Sequence, residues 1–167
     1  MSGKRRIRPG SASLLAMMVF NAVVSVAVLY VVYAMFGLNS ALAHRLSQVG
    51  TLGAAANWET LLPLVPGAAI GFALLWFCQV IVGRSRGVHW PGAFFYGMGI
   101  ALGDVLLGGL INGSLHGSPL IGLLLGLLML ILVPANLAGM LLFGAIMGLI
   151  NGRLAHAWIA RYYPRPE

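Results

Sequence analysis

The chain has 167 residues, 60% of them hydrophobic and only 8% charged, with a mean hydropathy of +0.94. Soluble domains carry roughly a quarter charged residues, so this composition belongs to a membrane protein; at about 20 residues per span, the length allows four to six helices and no sizeable soluble domain. Ten Lys and Arg against three acids give a net charge of +7, but the bases flank apolar runs, which makes them topology signals and not a nucleic-acid footprint.

Lys4, Arg5, Arg6 and Arg8 precede an apolar run from Ser13 to Phe36, and Ala41-Leu42-Ala43 resembles a signal-peptidase site. The run is about twice the length of a secretory h-region. Met1 opens the sequence, so the run is read as an uncleaved span, 13–36, whose basic leader, residues 1–12, stays cytoplasmic. Leu38 to Thr60, with Arg45 and Glu59 as formal charges and Trp58 as an interfacial aromatic, read as an outer loop. A second span, 61–82, opens with Pro63 and Pro66 where missing amide donors cost least. Arg84 and Arg86 mark a cytoplasmic loop, Trp90 and Pro91 open a third span, 91–112, and Asn112-Gly113 with Gly117-Ser118-Pro119 bracket a tight outer turn.

The apolar stretch from Leu120 to Ile150 would make about 46 Å of helix against a hydrocarbon core of about 30 Å. Pro134-Ala135-Asn136 divides it into 119–133 and 136–152, each barely long enough to span. Four helices with a kinked last one would leave Arg153, Arg161 and Arg165 inside and only Arg45 outside. Five helices are favoured by a repeat: Gly109 to His116 recurs as Gly148 to His156, with a fainter copy from Gly37 to His44, and each copy closes an apolar run. Asn-Gly is an ordinary helix stop, so residues 153–167, with Trp158, Arg161, Tyr162 and Tyr163, read as an interfacial tail. The expected fold is all-α: a polytopic membrane protein of four or five transmembrane helices with a cytoplasmic N-terminus and no soluble domain. Small size and dense spans place it in a bacterial inner (cytoplasmic) membrane.

Small residues recur at spacing four: Gly67 and Gly71, Gly99 and Gly103, Gly122 and Gly126, and Gly144, Gly148 and Gly152. On a helix each set shares nearly one face, where two backbones can approach closely. Packing within the chain is expected to use most of these faces, and a docked partner is the competing use. Asp104 is the one acid inside a span, about 20 Å from the cytoplasmic side. It is read as helix-packing glue, hydrogen-bonded to Tyr30, to Tyr33 or to a carbonyl beside Gly67, with proton or ion coupling as the alternative. Asn21, Ser25 and Gln79 lie nearer the cytoplasmic half.

His44, His116 and His156 end the three repeat copies, and a five-helix chain would gather them at the outer interface as metal ligands; His89 lies on the other side. Haem ligation would need histidines within the spans. No Gly-x-Ser-x-Gly, Walker or His-Glu-x-x-His motif occurs. Disulfide-forming membrane oxidoreductases need cysteine pairs and lipoprotein signal peptidases two aspartates, whereas Cys78 and Asp104 are each alone of their kind. The chain is therefore read as a non-enzymatic accessory or assembly subunit of a larger inner-membrane complex, held in the lipid bilayer by its spans and to other membrane subunits, or to its own copies, by glycine faces. One alternative is a small transporter component using Asp104 and the helix break at Pro134 and Asn136; another is a membrane subunit with a histidine-ligated metal.

Overall fold

The computed structural model describes residues 10–35, 62–86, 90–132 and 134–163. It contains five helices among them and no strand: α1 (Ser11–Met35), α2 (Leu64–Arg86), α3 (Trp90–Leu115), α4 (Pro119–Leu132) and α5 (Pro134–Tyr162). Of these, α1, α2, α3 and α5 are long and apolar enough to cross a membrane, whereas α4 has 14 residues. Several β-branched residues stand in α1, where water-based propensity disfavours helix. In an apolar solvent, for which the length and composition of this helix suit it, every backbone amide must be paired within its own segment, a requirement that would override propensity.

Helix directions follow from the residues that meet. Ser25 of α1 donates to the Ala68 carbonyl of α2 at 3.1 Å, and Asn21 pairs with Asn151, which in turn reaches the Phe72 carbonyl at 3.4 Å. As numbers fall along α1 they rise along α2, so the two are antiparallel. Gly67 and Gly71 of α2 face Asp104 and Ile100 of α3, again in opposite order. Along α3, Gly113 and Gly109 meet Gly122 and Gly126 of α4, while Gly97 and Ala93 meet Gly144, Gly148 and Gly152 of α5. Helices α4 and α5 thus pair with the C-terminal and N-terminal portions of α3 respectively, and both run against it.

No reversal separates α4 from α5. The break before Pro134 interrupts a passage that keeps its sense, so the chain changes direction three times and the start of α1 lies at the same end of the bundle as the end of α5. Leu14, Met17 and Met18 there pack on the cluster of Trp76, Val80, Ala155 and Trp158. The Arg84 guanidinium lies 4.0 Å from the Tyr163 ring centre, joining the ends of α2 and α5. Trp76 and Trp158 stand edge to face at 5.5 Å. Deeper in the bundle, Phe72 and Phe143 meet edge to face at 5.1 Å within a core that includes Leu29, Val32, Ala101 and Met147.

Two expected helix stops do not stop helices. Asn112-Gly113 lies inside α3, which ends two residues later in a Schellman turn: the Ser118 amide donates to the Gly113 carbonyl at 2.8 Å, the Gly117 amide to the Ser114 carbonyl at 3.2 Å, and Gly117 has φ of 75°. That left-handed φ suits glycine, which has no Cβ to crowd the carbonyl. Asn151-Gly152 lies well inside α5, and the expected interfacial tail from residue 153 is helical to Tyr162. Asn151 is fully buried and its amide is satisfied across the bundle, so it does not compete for local backbone groups as an asparagine in water does. The loop from 38 to 60, the Ala41-Leu42-Ala43 site, His44 and His89 lie outside the described residues.

Candidate functional site

The glycine faces divide into closed and open ones. A Cβ at Gly144 would stand 2.5 Å from the Gly97 carbonyl oxygen and 2.7 Å from the Cα of Met98, and one at Gly148 would overlap the Ala93 carbonyl oxygen. These are backbone-to-backbone approaches, and no rotamer change relieves them. Gly122 and Gly126 are closed in the same way by Val105, Gly109 and Gly113, and a Cβ at Gly152 would lie 2.9 Å from that of Ala93. Gly71 is closed by the Ile100 side chain at 2.9 Å, and Gly67 by the carboxyl of Asp104.

Gly99 and Gly103 are different. Both are exposed on α3, and nothing lies within 4 Å of a Cβ added at either. Phe95, Tyr96, Leu107 and Leu110, also exposed, flank them along the helix. At 100° per residue Phe95, Tyr96, Gly99, Gly103 and Leu110 fall on the side of α3 turned away from Gly97, Ala101 and Asp104, which face the bundle, and Leu107 stands at the edge of that side, its side chain reaching toward Gly67.

Asp104 lies near the middle of α3 and is 3% exposed. Its carboxyl occupies the space that the missing side chain of Gly67 leaves, with Leu107 beside it. Neither oxygen has a hydrogen-bond partner. The expected bond to Tyr30 is therefore absent, and Tyr30 itself is largely exposed. The side chain of Tyr33 lies outside the described set. Asp104 thus sits at a helix-helix contact without a hydrogen bond that would make it glue.

A hydrogen-bonded polar contact between helices lies elsewhere, at the Ala68 and Phe72 carbonyls of α2. The amide of Asn21 donates to the side-chain carbonyl of Asn151, and Ser25 bonds to the carbonyls of Ala22 at 2.7 Å and Ala68. All three side chains are fully buried and tie α1, α2 and α5 together. Reading Asn151 as a helix stop hid this contact. The apolar residues that continue after it, Leu154, Ala155, Ala157 and Trp158, were the available signal.

Comparison with protein-family models, with curated proteins and with solved structures gives no significant match. His116 lies at the end of α3, beside the start of α4, and its Nδ1–H donates to the Asn112 carbonyl at 2.8 Å, an ordinary way of satisfying a last-turn carbonyl. His156 lies near the Arg84 end, on the last turns of α5. The two are at opposite ends of the bundle, so the shared histidine face of the five-helix architecture does not form. No group of three potential metal ligands occurs among the described residues. Pro134 is exposed and opens α5, and Asn136 is half-buried two residues later.

Proposed function

We propose that this chain is a non-enzymatic multi-pass subunit of a bacterial inner membrane that receives a transmembrane helix of a larger complex on the Gly99/Gly103 face of α3. One observation carries the reading: the chain's own helices close the other spaced-glycine faces, and this one stays open at mid-helix. A partner backbone could approach there as closely as α5 approaches Gly97, gaining dispersion contacts that disordered lipid tails do not match. The rim of Phe95, Tyr96, Leu107 and Leu110 would give such a helix side chains to interlock with.

Orientation is argued from charge. Arg84, Arg86, Arg153 and Arg161 belong to the end of the bundle where α1 begins, next to the leader with Lys4, Arg5, Arg6 and Arg8. The excess of Lys and Arg at one end supports a cytoplasmic assignment for that end, with both termini inside. A reporter fused after Glu167 is expected to read out on the cytoplasmic side; a periplasmic readout would return the five-crossing arrangement.

Purification in mild detergent from the native membrane tests the functional reading. The wild type is expected to co-migrate with a second membrane chain. The Gly99→Leu/Gly103→Leu variant should keep its unfolding free energy within about 0.5 kcal/mol, as surface changes without special contacts do, and lose that chain. A lone monodisperse monomer in several detergents, or a variant that retains its partner, counts against the proposal.

A further inference from the structure

The end of the bundle where α2 finishes carries more bases than acids can match. Arg84 of α2 is exposed, and its guanidinium stands over the ring of Tyr163, the residue after α5. Arg161 of α5, also exposed, lies 5.5 Å from the ring centre of Tyr162. An aromatic ring attracts a guanidinium through its negative face and leaves the five N–H donors to other acceptors. Stacking also holds the cation in place, so less freedom is lost when an acceptor arrives.

The sequence has three acids, and they do not neutralise this end. Asp104 sits at Gly67, about 25 Å along α2 from Arg84. Glu59 precedes Leu64 by a stretch that covers about 18 Å when fully extended, whereas α2 from Leu64 to Arg84 is about 30 Å long. Glu167 follows Arg165, so the last residues bring a base with their acid, and the leader adds Lys4, Arg5, Arg6 and Arg8 with no acid.

Below Arg84, α2 turns apolar side chains outward. Ile70, Leu74 and Ile81 are largely exposed and Phe77 is half-buried. With Arg84 they recur at spacings of four, three, four and three, which places them on one side of the helix. Leu74 lies about 15 Å from Arg84 along the axis, half of a hydrocarbon core of about 30 Å and so the depth of one leaflet. A fixed cation above a leaflet's depth of apolar surface matches a molecule with an anion at its head and an acyl chain beneath.

We propose that this side of α2 binds an anionic phospholipid, its phosphate on the Arg84 guanidinium beside Tyr163 and an acyl chain along Ile81, Phe77 and Leu74. The planar guanidinium can donate two parallel N–H bonds to phosphate oxygens, which a lysine in its place could not. Basic sites between helices near a membrane surface take headgroups of this chemistry. The site lies on α2, so it does not rest on a partner docking at Gly99 and Gly103 of α3.

Native mass spectrometry of the full chain in mild non-ionic detergent, titrated with phosphatidylglycerol, tests this. The wild type is expected to hold one phosphatidylglycerol more tightly than phosphatidylcholine. Inorganic phosphate should not displace it, because a free anion has no chain to lay on the apolar stripe. Arg84→Gln is expected to weaken this first binding step about tenfold, the worth of one charge-assisted hydrogen bond. Arg6→Gln removes the same charge from the leader and should leave the step unchanged. Equal affinity for the two lipids, displacement by inorganic phosphate, or equal effects of the two substitutions overturns the proposal. The comparison of the two lipids and phosphate uses the wild type alone, so it decides even where Arg84→Gln does not fold.

Discussion

Gly148→Leu is expected to take α5 off α3 and to be among the costliest single changes in the bundle. Enlarging a packed residue costs about 1–3 kcal/mol where side chains can shift. At Gly148 the obstacle is the Ala93 carbonyl and the Cα of Phe94 at 3.1 Å, both backbone. We expect a loss of about 4–5 kcal/mol, the range reserved for changes the fold cannot absorb. Reversible unfolding in mixed micelles measures it. Gly99→Leu is the matched control, since it adds the same atoms to the same kind of residue with nothing in the way. Equal losses from the two variants would mean that α3 and α5 do not meet as described.

Asn151→Leu is the second large effect. The substitution leaves the buried amide N–H of Asn21 without its acceptor, while Asn21 Oδ1 already has no donor. An orphaned buried donor costs about 1–3 kcal/mol in water-soluble proteins; hydrogen bonds between membrane helices are worth between about 0.6 and 1.7 kcal/mol. We expect a loss of about 2 kcal/mol for Asn151→Leu and a smaller loss for Asn21→Leu/Asn151→Leu, in which no polar atom of the pair is stranded. A double variant that loses the full sum of the two single changes would show that the side chains act independently.

The first three helices were legible because each is an apolar run of spanning length bounded by bases, prolines or glycines. The ends of α3 and α5 were not, because Asn-Gly carries opposite meanings in the two solvents. In water it frees backbone groups, whereas inside the bundle Asn151 finds Asn21 more than a hundred residues away. Spaced glycines were legible as close-packing faces, but spacing does not say what they pack against. Gly97 and Gly109, on the receiving side of two such contacts, belonged to no set singled out by spacing. The site at Asp104 shows the same asymmetry. Its residue type announced it, while its neighbour, the absent side chain of Gly67, is a vacancy that only the meeting of α2 and α3 creates. The choice between four and five crossings turned on whether Pro134 reverses the chain, which depends on how α4 and α5 both lie along α3.

The edge-to-face pair of Trp76 and Trp158 has an optical consequence. Two indoles 5.5 Å apart in fixed geometry couple their electronic transitions, so the folded bundle is expected to show an aromatic circular-dichroism signature that neither tryptophan produces alone. Fixed tertiary packing is what such signals require, and they vanish when packing loosens while helices persist. Because one ring belongs to α2 and the other to α5, with α1 packed against both, the native chain reports the joining of three helices without an attached dye.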